Sequence, residues 1–293
     1  MWESTTKYFS PFFSYTATAS RAIVVVGVVV ATRPTSHVIV FAWARPRFPP
    51  AAETNKTDSA GTPRTVGRMR LVIAGGHGKI ALRLERRAAA RGDASVALIR
   101  NPDHADEVRE AGAEPVVADL EEIGSGDLAQ HLTGADAVVF AAGAGPGSTA
   151  ERKGTVDRDA ALLLADAAAA AGVRRYLLVS AMNIDAPPAP EDDDSVWAHY
   201  LRAKKAAEDA LRARSDLDLT ILRPGRLTDD AGTGLVRLGP AGGSPPVGYG
   251  EVTRDDVAAV LLALLDTPAS AGAVLDLIGG TVPPAQAVAA ATT

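Results

Sequence analysis

The chain has 293 residues and a net charge of −5, with 47% hydrophobic and 22% charged residues. A chain of this length holds one large α/β domain or two small ones, with apolar material for a sizeable core. The charge argues against nucleic acid as a partner, because phosphate neutralisation needs clustered Lys and Arg and no long basic run is present. There is no cysteine, which excludes disulfides, thiolate metal sites and a cysteine nucleophile.

Residues 1–68 read differently from the rest. An aromatic, Ser- and Thr-rich opening leads to an apolar run from Ala22 to Ala31, a second from Val38 to Trp43, and a Pro-, Thr- and Arg-rich stretch from Arg45 to Arg68. A membrane-spanning helix needs about 20 apolar residues, and Arg33 blocks extension of the first run. Its length suits a signal-peptide core, but only Lys7 and Arg21 precede it as positive charges, and Thr32-Arg33-Pro34 is no small-residue cleavage site. The expectation is a poorly ordered extension, no membrane attachment, a cytoplasmic protein, and a single domain over 69–293 that starts at Met69.

From Met69 the chain alternates short apolar runs with helical patterns. Strands are predicted at Arg70–Ala74, Ser95–Ile99, Pro115–Ala118, Ala135–Ala142, Arg175–Ser180 and Leu217–Leu222. Helices are predicted at Lys79–Arg91, His104–Ala111, Asp157–Ala171 and Val196–Arg214, two of them closed by Gly112 and Gly172. Asp229–Gly250 reads as a Gly- and Pro-rich loop, followed by a helix over Arg254–Asp266, a strand over Ala273–Leu277 and a helix over Pro284–Ala291. This order predicts an α/β fold: a Rossmann-type doubly wound parallel sheet with right-handed crossovers and strands apolar on both faces. Small substrate-side elements are expected at about 183–198 and in a C-terminal segment at about 225–293.

Gly75-Gly76-His77-Gly78-Lys79-Ile80-Ala81 follows the first strand and opens the first helix. In that context a glycine pattern reads as a phosphate-binding turn. Gly75 permits the tight turn, Gly78 leaves room for a pyrophosphate, His77 shapes the turn, and Ala81 keeps helix and strand close. The helix N-terminus over Lys79 and Ile80 offers free N–H groups and a positive dipole. The plainer alternative is a glycine turn that only connects strand and helix. The second strand ends in Leu98-Ile99-Arg100 without a carboxylate. An acid there would bind a ribose 2′-hydroxyl, whereas a guanidinium suits a 2′-phosphate. The expected cofactor is therefore NADP(H) rather than NAD(H), unless Arg100 is merely a solvated strand end. Asp119, with Leu120 beside it, ends the third strand and meets the adenine edge or caps a loop.

Tyr200-Leu-Arg-Ala-Lys204 puts a phenol and an ammonium on one helical face. In hydride transfer the phenol can donate a proton to the forming alkoxide, and the ammonium would lower its pKa. Ser180 ends the fifth strand, where ligands of this architecture bind, and its hydroxyl can orient a carbonyl oxygen. The plainer alternatives are a half-buried Tyr200 with a wet hydroxyl and a solvated Lys204. His37, His77, His104, His131 and His199 have no metal-site spacing, so no metal is expected. Asp192-Asp193-Asp194 reads as a charged, Pro-flanked loop.

These residues resemble the short-chain dehydrogenase/reductase superfamily, and within it the atypical NAD(P)H-binding, NAD-dependent epimerase/dehydratase-like branch. The resemblance runs from about Met69 to the C-terminus and rests on VIAGGHGKIA, LIRNPD, VVADL, AVVFAAGAG, GVRRYLLVSA, YLRAK and LTILRPGRLT. It implies a cofactor across Gly75, Gly78, Arg100, Asp119 and the Ala142-Gly143 strand end. It implies a catalytic set of Ser180, Tyr200 and Lys204. Active members usually add an Asn on the helix before the fifth strand, and here that place falls at Asp157, which cannot donate an amide hydrogen bond. Two functions follow as expectations. One is an NADP(H)-dependent oxidoreductase or epimerase acting on a small carbonyl or alcohol. The other is a non-catalytic NADP(H) sensor that binds a protein partner.

Overall fold

A computed structural model describes residues 68–145, 147–186 and 194–293. The expectations for the first 67 residues and for Asp192 and Asp193 lie outside the described residues. Elements follow in the order β1 (Arg70–Ala74), α1 (Lys79–Arg91), β2 (Ala94–Ile99), α2 (Ala105–Glu110), β3 (Glu114–Val117), α3 (Ser125–Leu132), β4 (Ala137–Phe140) and α4 (Ala150–Arg152). A wide π-turn (Lys153–Asp159) then runs into α5 (Ala160–Ala170), β5 (Arg175–Val179), α6 (Val196–Arg212), β6 (Asp218–Pro224) and β7 (Arg226–Thr228). The chain finishes with β8 (Val236–Pro240), β9 (Glu251–Thr253), α7 (Arg254–Leu265), β10 (Val274–Gly279) and α8 (Pro284–Ala291).

The main sheet has eight strands in the order β3-β2-β1-β4-β5-β6-β10-β8. All its pairings are parallel except β8 against β10. The chain leaves β1 in one direction for β2 and β3 and returns on the other side for β4, so the strand order reverses between β1 and β4. In doubly wound sheets the crevice at such a reversal is the ligand site. A second, two-stranded sheet pairs β7 with β9.

The central strands are buried on both faces, which is why they read as unbroken apolar runs. On one face Ile80, Ala81, Leu84 and Ala88 of α1 share a core with Val257, Leu261 and Leu264 of α7 and Val288 of α8. On the other, Leu128 and Leu132 of α3, Leu164 and Ala168 of α5 and Leu211 of α6 cover Val72, Val138 and Leu178. Arg223 of β6 clamps Glu208 of α6 with both ends of its guanidinium, at 3.0 and 2.6 Å, and reaches Asp185 at 2.6 Å. That buried clamp sets α6 against the sheet and fixes where Tyr200 and Lys204 stand. Among the described residues no helix is long and apolar enough to cross a membrane.

Candidate active site

The first turn is built by close approach. Gly75 has φ 76°, and a Cβ on it would lie 2.6 Å from Ala142 Cα, so only glycine lets β1 and the β4 end meet. A Cβ on Gly76 would lie 2.5 Å from Ala97 Cβ. Gly76 therefore lets the turn settle on β2, a role its sequence position alone does not reveal. Gly78 N donates to Gly75 O at 2.7 Å and Gly78 O accepts from Leu82 N at 2.9 Å. The N–H groups of the first turn of α1 then have no partner inside the helix and carry its positive dipole.

The turn borders a cavity of about 330 Å³ lined by Gly75, Gly76, His77, Gly78, Arg100, Asp119, Leu120, Ala142 and Gly143, among others. Of the turn residues expected there, two aim their side chains elsewhere. Lys79 Nζ donates to Asp229 Oδ2 at 2.6 Å, and Ile80 is buried in the core beneath α1. What these two offer the cavity is backbone N–H. Asp119 both lines the cavity and caps its loop, accepting from Glu121 N at 3.0 Å.

Sequence reasoning missed Asn101, His104, Glu121, Arg152 and Val156, which also line the cavity. Glu121 accepts from Thr155 Oγ1 at 2.6 Å and from the Arg152 guanidinium, and Arg100 Nη1 stands 3.4 Å away. The hydrogen bond from Arg152, with Thr155 and the Arg charges, holds the Glu121 carboxyl below the usual carboxylate range. Arg152 is thereby tied down, while the Arg100 side chain is 57% exposed and only loosely paired. A strand-end guanidinium in that state is free to turn onto an anion. Arg152 was hidden because it stands on α4, ahead of the predicted helix start.

Ser180, Tyr200, Lys204 and Asp157 come from β5, α6 and the π-turn. Ser180 follows Val179, the last residue of β5; its N–H donates to Leu222 O at 2.8 Å, and its buried Oγ has no hydrogen-bond partner among the described residues. Lys204 is 4% exposed, not solvated. Its Nζ donates to Val179 O at 3.2 Å and pairs with Asp157 Oδ1 at 3.2 Å. Asp157 Oδ2 also accepts from Ala144 N at 3.3 Å, so the carboxylate ties α6 to the β4 end. Tyr200 stacks on Trp197 with ring centroids 5.2 Å apart. The ammoniums of Lys153 and Lys204 lie 5.4 and 5.9 Å from its ring centroid.

One expectation needs correction here. Lys204 was expected to lower the Tyr200 pKa. Instead burial, and after it the Asp157 carboxylate, push the phenol well above its ordinary range. The main physical reason is burial, which disfavours the phenolate, and the Asp157 carboxylate paired with Lys204 adds to it.

Breaking that pair is expected to be costly. Asp157→Ala leaves Lys204 buried without a counter-charge and should lose about 3–5 kcal/mol of stability. Removing both charges in Asp157→Ala/Lys204→Met should restore most of it. Urea denaturation of the single and double variants measures this, and a D157A protein as stable as the parent would show that the pair carries no such charge coupling.

A family model described as NAD(P)H-binding matches residues 75–268. The chain belongs to this NAD(P)H-binding family. The uncharacterized sugar epimerase YhfK of Bacillus subtilis is 34% identical over 222 residues, covering 75% of this chain and 99% of that protein. A provisionally named NAD-dependent epimerase/dehydratase structure from Bacillus halodurans is 35% identical with a TM-score of 0.67, covering 76% of this chain and 99% of that one. The structure of ChuY, an anaerobillin reductase from Escherichia coli O157:H7, is 28% identical with a TM-score of 0.59, over 73% of this chain and 99% of that one. These likenesses place the chain among the atypical short-chain dehydrogenase/reductase proteins, with the oxidoreductase- and epimerase-like members. The residues present fit a dinucleotide: a glycine cradle that Cβ atoms would fill, an open helix N-terminus, and a cavity beside both.

Proposed function

We propose that the chain is an NADP(H)-dependent oxidoreductase or epimerase that acts on a small carbonyl or alcohol substrate. The observation that carries this is the buried Ser180 Oγ, which has no hydrogen-bond partner among the described residues. An unpaired buried hydroxyl is destabilising, and a substrate oxygen at the end of β5 would satisfy it. The names of the Bacillus subtilis epimerase and the Escherichia coli reductase support the same chemistry.

In this reading three side chains divide the labour. Ser180 Oγ holds and polarises the substrate oxygen. Tyr200, kept protonated by burial and Asp157, donates its phenolic proton to that oxygen as negative charge develops there. Lys204, paired with Asp157 and bonded to Val179 O, fixes the helix face that carries the phenol. The bound dinucleotide would supply or accept the hydride. In the cavity beside the glycine turn, Arg100 would take the 2′-phosphate, a charge that NAD(H) lacks.

Calorimetric titration with NADPH and NADH, followed by a carbonyl panel with the preferred cofactor, tests the reading. Arg100→Ala is expected to weaken NADPH binding about tenfold or more, in line with loss of a charge-assisted contact, and to leave NADH binding unchanged. Equal losses for both cofactors would remove Arg100 from 2′-phosphate recognition. Tight NADPH binding with no oxidation by any aldehyde or ketone would instead favour a cofactor sensor, the reading that Asp157 raises.

A further inference from the structure

The β2 end of the cavity holds an imidazole pair that hydride transfer does not use. His77 comes from the glycine turn. His104 closes the short 3₁₀ turn over Pro102–His104 that follows β2. Their rings stack with centroids 3.6 Å apart and planes 16° from parallel, and both line the cavity together with Arg100. Local chemistry fixes this arrangement. Asn101 Oδ1 accepts from Asp103 N at 3.0 Å and Asn101 O accepts from His104 N at 3.2 Å, which winds the turn and swings His104 over His77.

The charges around the pair are uneven. His77 Nε2 stands 3.1 Å from Glu107 Oε2 on α2. Arg100 follows the end of β2, and it lines the same cavity with Asp119, Glu121 and Arg152. Lys79, beside His77, is taken by Asp229. Glu107 therefore offsets a single positive charge on the pair, and two stacked imidazoliums repel at this spacing. A second proton needs a second anion.

Imidazole changes charge close to neutral pH. A phosphomonoester completes its second ionisation near pH 6, so it is a dianion above neutrality. We propose that His77 and His104 belong to the 2′-phosphate subsite and take up a proton when that phosphate binds. The preference for NADP(H) over NAD(H) then grows as pH falls from 8.5 towards 6.5. This rests on the NADP(H) reading above and adds to it a proton-linked gain in specificity. The proton comes from solvent to an imidazole nitrogen; at pH 7.5 the phosphate itself is already deprotonated and cannot be its destination.

The test is calorimetry of NADP⁺ and NAD⁺ binding to the full chain at pH 7.5 in HEPES and in Tris, whose ionisation enthalpies differ. The difference in observed heat reports protons exchanged. NADP⁺ should bind with uptake of about half a proton or more, and NAD⁺ with none. Between pH 6.5 and 8.5 the NADP⁺ Kd should weaken about five- to tenfold, and that for NAD⁺ less than about twofold. His104→Phe keeps an aromatic ring on His77 without a titratable nitrogen; it should abolish the uptake and flatten the pH dependence while Arg100 preserves a residual NADP⁺ preference. Binding of NADP⁺ without uptake, equal uptake with NAD⁺, or undiminished uptake in H104F would overturn the proposal. An NADP⁺ affinity no better than that for NAD⁺ at either pH would overturn the NADP(H) reading itself. A strong, pH-independent NADP⁺ preference would overturn only the imidazole role.

Discussion

Tyr200→Phe is expected to lower turnover by about 10²–10⁴-fold, the usual contribution of a positioned acid, with NADPH affinity nearly unchanged. The substitution removes one oxygen and keeps the ring. The stack on Trp197 and the flanking ammoniums of Lys153 and Lys204 therefore persist, and so does the Lys204–Asp157 pair that holds the helix face. No cavity-lining residue at the glycine turn is touched. The loss should appear in kcat more than in KM, because the phenol acts on charge that exists only as the substrate oxygen becomes an alkoxide. Burial and Asp157 hold the phenol above its ordinary range, so reduction should show no alkaline loss from Tyr200 near neutral pH. Turnover in Y200F equal to the parent would end the assignment of Tyr200 as proton donor.

The elements legible in the sequence are those whose local rules agree with the fold. Arg70–Ala74, Lys79–Arg91 and Pro284–Ala291 have the boundaries that apolar runs, glycines and a leading proline predict. The strand Val236–Pro240 was read as loop, because it sits inside a Gly- and Pro-rich stretch. It is an edge strand paired with β10, with one further bridge from Val236 to Val282, and such a strand needs no apolar alternation and tolerates proline. Helix α3 (Ser125–Leu132) went unread because Gly124 and Gly126 mask a short amphipathic pattern. The helix expected to begin at Asp157 begins earlier, through α4 and the π-turn. The π-turn lies ahead of the Ala- and Leu-rich stretch on which that expectation rests. At the site, the glycine turn and the order Ser180, Tyr200, Lys204 were legible as local patterns. The Lys204–Asp157 pair, the His77–His104 stack and the Glu121 cluster were not. Each joins residues far apart in the chain, and only the parallel sheet brings them to one edge.

Glu85→Gln is expected to remove a large pH dependence of stability between about pH 5 and pH 8. Glu85 lies on α1 between Leu84 and Ala88, fully buried, and neither carboxyl oxygen has a hydrogen-bond partner among the described residues. Burial pushes its pKa up to about 8, with the Arg86 charge pulling weakly the other way. The sign follows from proton counting. An unfolded chain releases this proton near the ordinary value of 4.5, while the folded chain keeps it to about 8. Between those values the native state binds more protons than the unfolded state, so stability falls as pH rises. The slope is at most about 1.4 kcal/mol per pH unit, or several kcal/mol across the window. Above the upper value the charge is present in both states and the penalty stays constant. Gln is neutral throughout, so the variant should match the parent near pH 5 and exceed it increasingly towards pH 8.5. Urea midpoints of both proteins at pH 5.5, 7 and 8.5 separate this group from every other that titrates, because those contribute equally to each. A constant difference between parent and E85Q across that range would mean that the buried carboxyl is not the titrating group.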